Sequence, residues 1–362
     1  MIKFIDFIRE YNSIKSDINK AINLVLKSGQ YILGEKVREF EKNFASYCKT
    51  KYCVGVNSGT DALYLSLLSA GIGKGDEVIV PVNTAMPTAI AVLMSGATPV
   101  FVDCDEDFLI DIKQIPAVIT KKTKAIIPVH LYGKACDMSV LMKLAKKFNL
   151  FIIEDCAQAN GASWRNKKIG SWGDFGCFSF YPVKNLGAYG DGGAITTNNK
   201  NYYQKLLRLR FYGQEKHMES AEFGVNSRLD EMQAAILNVK LAHLNDWNNR
   251  RQEIAKLYRK LITNPNVILP LPTNKNNHVY HLFVIRVKQR DKLMKFLKQN
   301  NITTLIHYPV PLHKQPTFKK NAHGLFPRAE MYANELISLP MYPFLKDSEV
   351  NRIATVINKF IV

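Results

Sequence analysis

The sequence predicts an α/β fold: a large domain, residues 1–247, whose mainly parallel sheet lies between helices, and a smaller α+β domain, residues 248–362. Three observations predict it. Between Cys53 and Glu154 short apolar strands alternate with helical segments, the order expected of βα units whose strands pair in parallel. A chain of 362 residues exceeds what one small core organises. Beyond Leu244 the alternation gives way to a mixed order of helices and strands.

Residues 1–50 carry amphipathic helices. Ile14, Ile18, Ile22 and Val25 recur at helical spacing, a turn over 28–34 closes that helix, and 37–47 forms another around Phe40, Phe44 and Tyr47. A strand over 53–57 leads through Ser58-Gly59-Thr60 into a helix over 61–70. Strands follow at 77–81, 98–102, 124–129 and 150–154, with helices over 88–95 and 138–148 between them. The stretch from Phe178 to Lys184 reads as a buried aromatic strand, stopped by Pro182 and ending in the lysine; glycines 187, 190, 192 and 193 behind it permit close backbone approach. Next come a strand over 194–197, a helix, a loop holding Asn226-Ser-Arg-Leu-Asp230, and a long helix with Met232, Ala235, Ile236, Val239 and Leu244 on one face. The smaller domain reads as a helix to 262, strands at 281–287 and 302–306, and helices at 291–299, 327–336 and 347–360.

Apolar content of 47% and charged content of 22% are those of an ordinary globular protein. No apolar run reaches membrane-spanning length, and the first residues, Met-Ile-Lys-Phe-Ile-Asp, lack the apolar stretch of a signal peptide, so the expected location is the cytoplasm, with no membrane partner. The six cysteines are scattered without a C-x-x-C pair or a histidine at metal spacing; they read as incidental thiols, and no metal is expected. The net charge of +18 is spread along the chain without a basic helix or tail, which argues against nucleic acid. A diffuse field that draws in a small anion, and a plain compositional bias toward Lys and Asn, both fit it.

In parallel sheets ligands sit beyond the carboxyl ends of the strands, and candidate groups fall there. Gly59 and Thr60 open a helix whose free N–H groups can hold a phosphate, without the glycine spacing of a dinucleotide site or a P-loop. Asp155 follows an apolar strand, where a carboxylate could keep a ring nitrogen protonated. Lys184 would be partly desolvated and so partly neutral, as a Schiff-base lysine for pyridoxal phosphate (PLP) must be. Ser179, five residues earlier, could give its hydroxyl to the same phosphate.

These segments resemble the DegT/StrS nucleotide-sugar aminotransferases, within fold type I of the PLP enzymes. The likeness runs through Asn57-Ser-Gly-Thr60, Gly75-Asp-Glu-Val-Ile-Val-Pro81, Glu154-Asp-Cys-Ala-Gln158, Ser179 to Lys184, Gly224-Val-Asn-Ser-Arg-Leu-Asp230 and His307-Tyr-Pro309. It implies that Lys184 holds the cofactor and shuttles the proton, that Asp155 pairs with the pyridinium nitrogen and Gln158 with the ring hydroxyl, and that Gly59, Thr60 and Ser179 bind the phosphate. Asn226 would reach in from the partner of a homodimer, and Tyr181, His307 and Tyr308 would lie near the sugar nucleotide. Family members often have an aromatic residue after the Thr of the Asn83-Thr84 pair; here Ala85 and Met86 follow, and Met86 is expected to cover that face of the ring. Related dehydratases carry His in place of Lys184, so the lysine implies amino transfer. The implied reaction moves an amino group from L-glutamate to a nucleotide-linked keto sugar, for glycan (for example lipopolysaccharide) biosynthesis. The form of residues 304–313 favours C3 of a dTDP-3-keto-6-deoxyhexose over a 4-keto or UDP-3-keto acceptor. A non-catalytic PLP-fold regulator is the remaining alternative.

Overall fold

The computed structural model describes residues 1–216, 218–273 and 277–361. The chain opens with α1 (Phe7–Ser28), whose first N–H groups are capped by Asp6 and whose end is Gly29 in the left-handed conformation, φ 66°. α2 (Glu35–Cys48) follows. Phe40 and Phe44, one helical turn apart, are fully buried, as the amphipathic spacing requires.

The next strands are β1 (Tyr52–Val56), β2 (Glu77–Pro81), β3 (Thr98–Val102), β4 (Thr123–Ile126) and β5 (Phe151–Asp155). A small hairpin, β6 (Ser163–Trp164) with β7 (Lys167–Lys168), precedes β8 (Phe175–Ser179) and β9 (Gly193–Thr197). Seven of these build one sheet in the order β1-β9-β8-β5-β4-β2-β3. Every pair from β3 across to β8 is parallel, and β9 alone runs against its neighbours β8 and β1. The parallel strands need crossovers, supplied by α3 (Gly59–Ser69), α4 (Met86–Met94), α5 (Ile115–Val118) and α6 (Met138–Phe148). β8 and β9 are buried along their whole length, so neither shows the polar alternation of a half-exposed strand.

α7 (Lys200–Leu209) and the hairpin β10 (Gln214–Lys216) with β11 (Glu219–Ser220) lead to α8 (Glu231–Leu261), a helix of 31 residues that passes position 247 unbroken. Leu237 and Leu244 in its first half pack with Phe40, Phe44, Phe178 and Phe180. Ile254 and Tyr258 in its second half pack in a separate core with β12 (Phe283–Arg286), α9 (Arg290–Gln299), β13 (Leu336–Leu339) and α11 (Asp347–Asn358), to which Ile2 also belongs. α10 (Pro327–Glu335) turns Ala329 and Tyr332 to the core of the large sheet.

Two expected elements differ. Residues 302–306 form no strand, because Ile302 bridges Ile2 while Leu305 bridges Ser338, and two single bridges to different partners make no ladder. The aromatic strand stops at Ser179, not at Lys184. Past it the Phe180 N–H donates to the Gly192 carbonyl and the Phe180 carbonyl accepts from Ala188, folding the segment back on itself. Lys184 therefore sits on a turn, its N–H donating to the Tyr181 carbonyl at 2.9 Å, with Pro182 inside that turn. Among the described residues no helix is long and apolar enough to cross a membrane.

Candidate active site

The carboxyl ends of β1, β2, β5 and β8 converge on a cleft of about 400 Å³. After β1, the Ser58 hydroxyl caps α3 by accepting from the Asp61 N–H at 3.1 Å. The first-turn N–H groups of Gly59 and Thr60 have no acceptor four residues back, so the positive end of the helix faces the cleft. Ser179, at the end of β8, lies against that turn: a Cβ on Gly59 would come within 2.7 Å of the Ser179 Cβ, so only glycine allows strand and helix to close into one anion cradle.

Asp155 ends β5 and is 5% exposed. Its Oδ2 accepts from Thr88 Oγ1 at 2.8 Å and its Oδ1 from the Ala157 N–H at 3.1 Å. Burial pushes this carboxyl upward, while Thr88, Ala157, Lys184 and His130 oppose the shift. Lys184 answers from the other side: burial pulls its ammonium down to about 8, with Asp155 acting in the opposite sense. Gln158 is gripped at both ends of its amide, Oε1 accepting from the Tyr132 N–H at 2.7 Å and Nε2 donating to the Tyr308 hydroxyl at 2.8 Å. One amide hydrogen stays available. Burial pushes Tyr308 up to about 12, and burial with the nearby Lys184 holds His307 down at about 4, its Nδ1 lying 2.9 Å from Ser338 Oγ.

Nine of the residues expected at the site line this cleft: Gly59, Thr60, Asp155, Gln158, Ser179, Tyr181, Lys184, His307 and Tyr308. Met86 and Asn226 do not. Met86 starts α4 and is 54% exposed, and the cleft wall there is made by Ala85, Pro87 and Thr88. Asn226 is exposed on a loop whose next residue, Ser227, accepts from the Asn57 N–H and donates to Asp61, so it stands behind the cradle of its own chain. Thr84, Thr88, Asp191 and His281, none of them expected from the sequence, also line the cleft. Thr88 carried one signal: a hydroxyl in the first turn of the helix that follows a strand end.

Directly behind Asp155, His130, Glu154 and Cys156 lie within 4.8 Å of one another and are all buried. Glu154 is already occupied by the N–H groups of Gly170, Trp172 and Gly173 as well as by His130, and His130 Nδ1 accepts from the Cys136 N–H. This cluster therefore braces the strand end.

A lysine held near neutrality, a buried carboxylate facing it and an anion cradle within the same 400 Å³ suit a phosphorylated aromatic aldehyde. Fold and site define a PLP-dependent aminotransferase. The line within that class is visible over nearly the whole length: the chain belongs to the DegT/DnrJ/EryC1/StrS aminotransferase family, whose model matches residues 12–358. It is 50% identical over 361 residues, 99% of each chain, to a dTDP-3-amino-3,6-dideoxy-alpha-D-galactopyranose transaminase of Aneurinibacillus thermoaerophilus. Among solved structures it superposes on DesV of S. venezuelae with a TM-score of 0.96 at 44% identity, covering 99% of this chain and 98% of that one. It superposes on NtdA of Bacillus subtilis, solved with bound cofactor PMP, with a TM-score of 0.92 at 32% identity, covering 98% and 84%.

Proposed function

We propose that the protein transfers an amino group from L-glutamate to C3 of a dTDP-linked 3-keto-6-deoxyhexose, giving a dTDP-3-amino sugar for glycan assembly. The observation that carries this reading is the 50% identity, over 99% of both chains, to a transaminase named for a 3-amino-3,6-dideoxyhexose on dTDP. We assign the phosphate of PLP to Gly59, Thr60 and Ser179, its ring nitrogen to Asp155 and its ring hydroxyl to the free amide hydrogen of Gln158. When bound, PLP supplies the electron sink and stores the amino group between the two half-reactions.

The chain's own residues do the rest. Lys184 Nζ anchors the cofactor and, once free, removes the proton from Cα of glutamate; in the second half it delivers one to the sugar carbon that receives the amine. Its depressed basicity lets a useful fraction act as base near neutral pH. Asp155, whose carboxyl accepts from Thr88 and the Ala157 N–H against the upward push of burial, would pair with a protonated ring nitrogen. Tyr181, His307 and Tyr308 contact the sugar nucleotide, whose dianionic pyrophosphate suits a chain of net charge +18. The active form is a cytoplasmic homodimer in which Asn226 completes the other subunit's phosphate site, a role supported by its exposure behind its own cradle. The smaller unit, 248–362, contributes the His307–Tyr308 wall.

Absorption spectroscopy tests this. In protein loaded with PLP, L-glutamate should abolish the band of the lysine-linked cofactor, and a dTDP-3-keto-6-deoxyhexose should restore it where 4-keto and UDP-linked sugars do not. A band indifferent to glutamate would refute amino transfer; restoration by the 4-keto sugar would refute the C3 assignment.

A further inference from the structure

Tyr132 lies outside the cleft and has no part in the roles above, yet its backbone is held at φ 58°, ψ 6° in the three-residue turn Leu131–Gly133 that follows β4. Tyrosine rarely adopts this left-handed conformation, which glycine and asparagine take up more easily. It persists where the surroundings grip the residue from several sides. Here three polar groups of one residue are gripped. The N–H donates to Gln158 Oε1 at 2.7 Å, the carbonyl accepts from the Leu282 N–H at 3.2 Å, and the hydroxyl donates to the His307 carbonyl at 2.5 Å. The ring is 4% exposed and meets Phe108 edge-on at 5.5 Å. The seam continues at Gly133, whose carbonyl accepts from the Val279 N–H at 2.9 Å. From the far side the same segment is held beside Lys184. Asn185 Nδ2 donates to the Val279 carbonyl at 3.1 Å and to Asn248 Oδ1 at 2.8 Å, and Asn185 Oδ1 lies 3.2 Å from His281 Nδ1. Asn248 roots this chain by donating to the Asn160 carbonyl at 2.9 Å.

The grip on Gln158 carries a polarity. A backbone N–H can only donate, so Gln158 turns its oxygen to Tyr132 and its nitrogen to Tyr308. The Tyr308 hydroxyl therefore accepts from Gln158 and keeps its own hydrogen, which no acceptor among the described residues takes. Tyr308 lines the cleft, and burial keeps its phenol protonated near neutral pH. We propose that Tyr132 is a positioning residue: its N–H sets the polarity of the Gln158–Tyr308 pair and its hydroxyl pins the His307 carbonyl, so that Tyr308 faces the cleft as a hydrogen-bond donor to an oxygen of the nucleotide-linked sugar. Gln158 follows β5 in the large domain, whereas His307 and Tyr308 belong to the smaller unit, so one buried residue bonds to both walls of the cleft. Glycine or asparagine would suit the turn better, but neither could reach His307. The proposal rests on the assignment of the sugar nucleotide to the His307–Tyr308 wall.

The test joins hydrogen exchange to half-reaction kinetics. Tyr132→Phe keeps the ring and the backbone N–H and removes only the hydroxyl. In full-length protein loaded with PLP, exchange read by mass spectrometry should quicken about fivefold over residues 304–308, where the His307 carbonyl has lost its partner, and stay unchanged over the large sheet. Exchange over 304–308 equal to that of the wild type overturns the proposal, whatever the substrate is. In single-turnover kinetics the variant should react with L-glutamate within about twofold of wild type, while the half-saturating concentration of the dTDP-3-keto-6-deoxyhexose rises about tenfold. Equal losses in both halves would refute a role directed at the sugar. Tyr308→Phe removes the donated hydrogen itself and should weaken the sugar half by a similar factor. Because Tyr132 acts through Tyr308, adding Tyr132→Phe to Tyr308→Phe should cost less than about twofold more, and losses that multiply would also overturn the inference. A wild type that reacts with glutamate but passes the amino group to no sugar would instead overturn the function on which the inference rests.

Discussion

Burial lowers the basicity of Lys184 and of Lys240 alike. Lys240, on α8, is 1% exposed. Its ammonium meets the Glu10 carboxylate at 2.5 Å, donates to the Gly187 carbonyl at 2.7 Å and lies 4.0 Å from the centre of the Tyr189 ring. It is fully provided for, and it holds the charge that ties α1 and α8 to the segment carrying Lys184. Lys184, three residues before Gly187, has no side-chain hydrogen bond among the described residues and faces a cleft. Desolvation alone does not make a lysine reactive; desolvation without partners does.

Substitution should separate the two lysines sharply. Lys184→Ala should lower amino transfer by on the order of 10⁴-fold, with the fold retained by circular dichroism. Lys240→Met should leave transfer within about tenfold of wild type but cost about 3 kcal/mol in urea unfolding, since Glu10 and the Gly187 carbonyl lose their partner. Equal loss of activity in both variants, at equal stability, would dissolve the distinction.

A smaller effect should come from the opposing charge. Asp155→Asn keeps the shape and the Thr88 contact yet removes the anion that faces Lys184; steady-state kinetics should show a fall of about 10²–10³-fold. Smaller still is a linkage effect in cofactor-free protein. The folded-state pKa of Lys184 is lowered from 10.5 to about 8, so below about 8 the folded state bears a buried ammonium that the unfolded chain solvates freely. Between these values the unfolded state binds more protons, and stability contributed by this residue rises with pH. Lys184→Met should therefore be more stable than wild type near pH 7, the gap closing as pH rises from about 8 toward 10.5, as read by urea midpoints at each pH.

Much of this was legible in the sequence, for reasons the residues make plain. The strands at 77–81 and 98–102 and the helix at 138–148 match β2, β3 and α6 to the residue, because the strands are apolar runs and the helix an amphipathic one, each bounded by its own turn and cap signals. Gly59, Asp155 and Lys184 could be placed because strand ends converge in any parallel sheet. What escaped depends on contacts across long separations. Thr88 meets Asp155 across 67 positions and Asn185 meets His281 across 96, and neither a threonine in a helix nor an asparagine after a lysine announces such a partner. The end of the aromatic strand is hidden for a related reason: Phe180 is as apolar as Phe178, and only the return of the chain through Gly192 and Ala188 ends the ladder at Ser179.

The unbroken course of α8 ties these sites to one ruler. Lys240 beneath the Lys184 turn, Leu244 in the aromatic core, Asn248 at the root of the His281 chain and Arg251 under the smaller core follow at intervals of four, four and three residues, one stripe along a single helix. Removing a single residue upstream within that helix would rotate everything beyond it by about 100° relative to the sheet. The lysine turn, the cleft wall and the second core would then lose their common register together, so drift in the length of this segment is far less tolerable than drift in its composition.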